Sequence, residues 1–109
     1  ITSFNVNNTT STLINTPGYF RVFGAFSGRN ASSTAESGSF TLTDSITSKK
    51  IVEFQLRQAA TEINTVESFD FNVFLEAGES LTCTSTTSII FMTGNTRQIA
   101  DLQGNLVNP

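Results

Sequence analysis

Histidine and tryptophan are absent from the 109 residues, cysteine, methionine and tyrosine occur once each, proline twice, and charged residues make up only 14% of the chain. Each scarcity excludes something. Without histidine, the commonest general base and metal ligand is missing, so Ser-His-Asp and Cys-His triads and most zinc sites cannot be built. A lone cysteine, Cys83, rules out an intrachain disulfide and any Cys₄ zinc or iron–sulfur site. Six Lys and Arg against nine Asp and Glu leave a net charge of −3 with no basic cluster, which removes the electrostatic footprint that nucleic acid requires. No apolar run approaches the roughly 20 residues of a membrane span, so neither nucleic acid nor membrane is expected as a partner, and the chain reads as soluble.

The remaining candidates for chemistry are carboxylates. Glu76 with Glu79, and Glu67 with Asp70, are the nearest pairs in sequence, and paired carboxylates can in principle cleave a glycosidic bond. The first pair flanks a tight turn, where acids serve solvation, and Asp70 falls on the polar side of an alternating strand. No Asp-x-Asp-x-Asp-Gly pattern supports calcium, and Gly24-Ala25-Phe26-Ser27-Gly28 lacks the spacing and lysine of a phosphate loop. The chain is therefore read as a non-enzyme, with no catalytic residues, cofactor or metal.

Phenylalanine, with ten residues, must carry the packing. Ser, Thr and Asn fill much of the remainder; their short polar side chains compete for backbone hydrogen bonds and disfavour helix interiors. Period-two alternation recurs, the mark of strands with one buried face. Phe20, Val22 and Phe26 share a side within Tyr19–Phe26; Phe40 and Leu42 share one within Ser39–Asp44; Val52, Phe54 and Leu56 follow in Lys49–Leu56; and Phe69, Phe71, Val73 and Leu75 lie opposite Asp70 and Asn72 in Ser68–Leu75. Asp44–Ser48 predicts a hairpin turn. Glu76-Ala77-Gly78-Glu79 predicts a second hairpin leading into Ser80–Ser85, where Leu81 and Cys83 face inward. One or two short edge strands precede the Pro17-Gly18 turn pair, and Arg29–Gly38, small and polar, reads as an exposed loop.

Two segments favour helical turns: Leu56, Ala59, Ala60 and Ile63 at helical spacing, and Asn95–Leu102, where Asn95 and Gln98 mimic a cap and Arg97 could pair with Asp101. The expectation is all-β: a two-sheet β-sandwich or compact jelly roll of about seven to eight antiparallel strands. It forms one domain over 1–109, with a terminal arm at about 96–109.

Several strands carry apolar residues on both sides. Phe23 and Phe74 lie on nominal outer faces, and Ile90 and Met92 sit in the continuous run Ile89–Met92, while Leu106 and Val107 place apolar side chains in the terminal arm. These six are the candidate partner-interface residues, a second core face being the alternative for the four strand positions.

The segments Ser-Gly-Ser-Phe-Thr-Leu-Thr-Asp (37–44) and Phe-Asn-Val-Phe-Leu-Glu-Ala-Gly-Glu-Ser-Leu-Thr (71–82), with the Gly-Asn-Leu-Val-Asn-Pro ending, resemble small β-rich virion proteins of tailed bacteriophages, in particular capsid decoration, or cement, proteins. That resemblance implies a non-catalytic, commonly homotrimeric protomer on the outer surface of the virion, bridging subunits of a major capsid protein. A carbohydrate- or receptor-binding module of a fibre or adhesin is the alternative; the absence of tryptophan and the single tyrosine, Tyr19, weigh against it.

Overall fold

The computed structural model describes residues 2–30, 36–56 and 63–107. Eight strands are formed: β1 (Thr2–Asn7), β2 (Thr10–Ile14), β3 (Gly18–Asn30), β4 (Glu36–Thr43), β5 (Ser48–Leu56), β6 (Ile63–Leu75), β7 (Ser80–Ser85) and β8 (Ile90–Ala100). They make two four-stranded sheets, ordered β1-β8-β3-β6 (sheet A) and β2-β7-β4-β5 (sheet B), and every pairing is antiparallel. Eight strands split between two facing sheets in this order form a jelly roll, within the expectation of a two-sheet β-sandwich or compact jelly roll of about seven to eight antiparallel strands.

The inner faces enclose a core of Val6, Ile14, Phe20, Val22, Phe26, Phe40, Leu56, Phe69, Val73, Leu75, Leu81, Cys83, Ile90 and Met92. Phenylalanines mesh across the gap. Phe40 of sheet B meets Phe69 and Phe71 of sheet A edge to face at 4.9 and 5.1 Å, and Phe26 stacks on Phe54 at 5.1 Å, geometries that add about 0.5–1.5 kcal/mol per pair beyond burial. Cys83 is fully buried, and burial pushes its thiol up to about 12, which makes it a small hydrophobe and not a reactive group.

Several expectations are corrected. The Glu76–Glu79 turn is tight, closed by Glu79 N–H donating to Glu76 O at 3.1 Å with Gly78 at φ +86°, but it makes no hairpin. It carries the chain from β6 in sheet A to β7 in sheet B, because β6 pairs with β3 while β7 pairs with β2 and β4. The Asp44–Ser48 turn does close a hairpin, β4 to β5, with the Asp44 carboxylate accepting the N–H groups of Ile46 and Thr47 at 2.7 and 2.6 Å.

Asn95–Ala100 is strand, not helix, since β8 lies between β1 and β3 and pairs with both; Arg97 stands opposite Arg21 of β3 and not one turn from Asp101. The helical spacing at Leu56–Ile63 falls largely on 57–62, outside the described residues. The Arg29–Gly38 loop also shrinks, because Arg29 and Asn30 extend β3, and residues from Glu36 onward belong to β4. At Gly38 smallness serves packing: a Cβ there would lie 2.6 Å from Met92 Sδ.

Candidate interaction surface

Odd-numbered residues of β3 point away from the core, as do the even-numbered ones of β6, and together they pave the outer face of sheet A. The residues chosen on strand parity divide here. Phe23 and Phe74 are half-buried on this outer face. Ile90 and Met92 are fully buried, so their assignment as interface residues is corrected: in the run 89–92 both parities are apolar, and the pairing of β8 with β1 and β3 turns the even residues inward. Phe91 then takes the outer side and is exposed.

Phe23 and Phe74 each have a neighbour that sequence reasoning did not supply. The Tyr19 ring lies 4.5 Å from that of Phe74, because Tyr19 and Phe74 are register partners in β3 and β6. The Arg21 guanidinium sits 4.4 Å above the Phe23 ring, two residues along the same strand face. Its Nε and Nη2 donate to Asp70 Oδ1 and Oδ2 at 2.9 and 2.7 Å, a bidentate fork. The hydrogen bonds from Arg21 hold the Asp70 carboxyl below its usual range and raise the guanidinium further. Tyrosine and arginine are among the residue types from which protein interfaces draw much of their binding energy, and phenylalanine is enriched at interfaces as well. Towards the opposite end of the strands, Val66 (74% exposed) and Phe91 flank Ser27 on the same face.

The sequence places a terminal arm at about 96–109. Residues through Ala100 belong to β8, and the chain then turns back on itself. Asp101 N–H donates to Asn105 O at 2.9 Å, Val107 N–H to Ile99 O at 3.0 Å, and Leu106 bridges to Ala100. The Asp101 carboxylate accepts from the backbone N–H groups of Asn105 and Gln103 at 2.9 and 3.0 Å, bonds that lower its pKa, that of Asn105 most. Val107 is half-buried by this return, and Leu106, 85% exposed, projects from it.

The carboxylate pairs do not converge on a common cleft. Glu67 and Asp70 have opposite parity on β6 and face opposite sides of the sheet. Glu79 Oε1 accepts Glu76 N–H at 2.6 Å and so closes its own turn. A cleft of about 250 Å³ opens between β1 and β2, with Phe4, Asn5, Ser11 and Leu13 in its walls; among the described residues its lining carries hydroxyls, one amide and apolar side chains but no ionisable side chain.

No protein-family model matches the sequence, and no curated protein matches it. Solved structures do. The chain is 36% identical to a pentameric capsid protein from metagenomic phage sequences, known from a crystal structure, with a TM-score of 0.83 over 98% of this chain. A second crystal structure of a pentameric capsid protein from such sequences, solved by iodide phasing, gives 37% identity and a TM-score of 0.78 over the same share. In both comparisons the chain spans 66% of the length of the matched protein. In sequence and in fold it is similar to phage capsid proteins.

Proposed function

We propose that this chain is a structural virion protein, a phage capsid component that works by packing against copies of itself and against other shell subunits. The observation that carries the reading is the 36% identity over 98% of the chain to a pentameric phage capsid protein. The geometry supports it: a well-packed sandwich presents an outer face bearing Tyr19, Arg21, Phe23 and Phe74. Contacts of modest strength, repeated by symmetry, then add up through avidity.

The narrower form of the proposal is a decoration protein on the outer surface of the virion, bridging subunits of a major capsid protein through that face. The resemblance to cement proteins implies three copies, whereas both matched structures are pentameric; five copies are proposed. Mass measurement in solution across a concentration series tests this, with a species of five times the 11.8 kDa protomer expected. A monomer at every concentration, without affinity for assembled shells, would overturn the proposal. The Tyr19–Phe74 pair on the outer face favours one second reading, a glycan- or receptor-binding platform, which a glycan array showing specific binding lost in Tyr19→Ala would establish instead.

A further inference from the structure

Four strands end the two sheets, β1 and β6 in sheet A and β2 and β5 in sheet B, and each leaves a row of backbone N–H and C=O groups without a partner strand among the described residues. Such edges invite pairing with another chain unless they are short, bulged or charged. In sheet B both are guarded. β5 opens with Ser48-Lys49-Lys50 and lies opposite an irregularity between Phe40 and Thr41, and β2 has five residues and a register shift between Thr12 and Ile14.

Sheet A is different. β6 runs for thirteen residues in unbroken register with β3, and it contains neither proline nor lysine. Its two acids leave a clear stretch: the Asp70 charge is taken up by Arg21, and Glu67 precedes the uninterrupted run Ser68–Leu75. At the other edge, β1 is regular throughout its pairing with β8 and carries no charge.

We infer that the Ser68–Leu75 edge of one copy pairs with the Thr2–Asn7 edge of the next, so that sheet A continues across the subunit boundary. This rests on the proposal that the protein assembles as a ring of identical copies. A ring of more than two copies needs a heterologous contact, in which one patch meets a different patch on its neighbour. An antiparallel sheet with an even number of strands supplies it, because its two edge strands run in opposite directions. β6 of one copy and β1 of a copy in the same orientation therefore meet antiparallel, the more stable pairing. A β6–β6 contact is isologous and stops at two copies.

Two measurements on the intact protein test the inference. In hydrogen exchange, half of the β6 amides face β3 and the others the open edge; in the assembled protein both sets, and the outer amides of β1, are expected to lose fast exchange. Cysteine pairs supply the connectivity: Ser68→Cys or Asn72→Cys combined with Ser3→Cys or Asn5→Cys, all exposed outer-face positions. Paired strands about 4.8 Å apart bring facing cysteines within disulfide reach, and the buried Cys83 does not interfere. Oxidation is expected to give covalent ladders of up to five copies in one or more of the double variants and in no single variant.

Pentamers whose β6 edge amides exchange fast would overturn the edge pairing and leave the ring standing. Cross-linked dimers from Ser68→Cys or Asn72→Cys alone, or protection of β6 without β1, would overturn the β6–β1 partnership. A protein that stays monomeric at all concentrations would overturn the ring on which the inference rests.

Discussion

Replacing Gly94 with alanine puts a methyl group where the structure has no room for one. Gly94 of β8 faces Gly24 of β3 on one side and Phe4 of β1 on the other. The new Cβ would press on the carbonyl oxygen of Phe23 and lie 3.0 Å from both Gly24 Cα and the tip of the Phe4 ring. Two effects oppose each other. Alanine restricts the unfolded chain, which stabilises by about 0.4–1 kcal/mol where the site accepts it, while overpacking costs about 1–3 kcal/mol. The closest obstacle is a backbone carbonyl in the middle of a sheet and cannot swing aside, so the steric cost wins by about 1–2 kcal/mol. For a domain near 100 residues this lowers Tm by about 5–15 °C. Thermal unfolding followed by far-UV circular dichroism, with urea unfolding to confirm an unchanged slope, measures it. Adding Phe4→Leu should not restore stability, since that ring is the lesser obstacle. A Tm equal to or above wild type, or full rescue by Phe4→Leu, would show that β3 and β8 do not approach as closely as described.

Phe40→Ala removes the ring at the centre of the Phe4, Phe69 and Phe71 cluster and should cost about 3–5 kcal/mol in urea unfolding; a loss under 1 kcal/mol would refute its central place. The Cys83 thiol should resist a thiol reagent at pH 8 in the native state and react fully in denaturant. Because its folded pKa of about 12 lies above the ordinary 9.0, the associated stability is complete below pH 9 and falls as pH rises from there towards 12, a decline that Cys83→Ala should remove. Asp44, Asp70 and Asp101 have pKa values below the ordinary 3.8. Their contribution is present above that value and is lost as pH falls through the lower folded values, so acid titration of Tm should be shallower in Asp44→Asn than in wild type. On the proposed function, Tyr19→Ala should leave Tm nearly unchanged while weakening attachment to assembled shells, measured by co-sedimentation; unaltered attachment would remove the outer face from the proposed contact.

The strands were legible because apolar residues alternate with polar ones along β4, β5 and β6, and period two needs only local sequence. What pairs with what is not local. Glu76-Ala77-Gly78-Glu79 has the composition of a hairpin turn, and nothing in those four residues says that the strands on either side enter different sheets. Asn95–Leu102 imitates a capped helix because Asn95 and Gln98 have cap spacing and Ile99 and Leu102 could share a helix face; pairing with two neighbouring strands overrides that local pattern. Phe23 and Phe74 could be placed on the outer face by parity. Ile90 and Met92 could not, since Ile89 and Phe91 offer an equally apolar alternative. Tyr19 beside Phe74 and Asp70 beneath Arg21 were invisible for the same reason, because both depend on the register between β3 and β6, which lie more than thirty residues apart.

The order of strands in sheet A also sets a schedule for making the protein. Its two central strands, β8 and β3, come from opposite halves of the chain, and β1, the first strand, has β8, the last, as its only partner strand among the described residues. β4 and β5 are the one pair of sheet neighbours that follow each other directly, so their hairpin is the natural nucleus, and the remaining pairings wait on long loop closures that place such folds in the millisecond-to-second range. During synthesis sheet A cannot close until β8 has left the ribosome. On a nascent chain the β1 edge therefore has no partner strand until β8 emerges, and any contact between copies through that edge waits on β8.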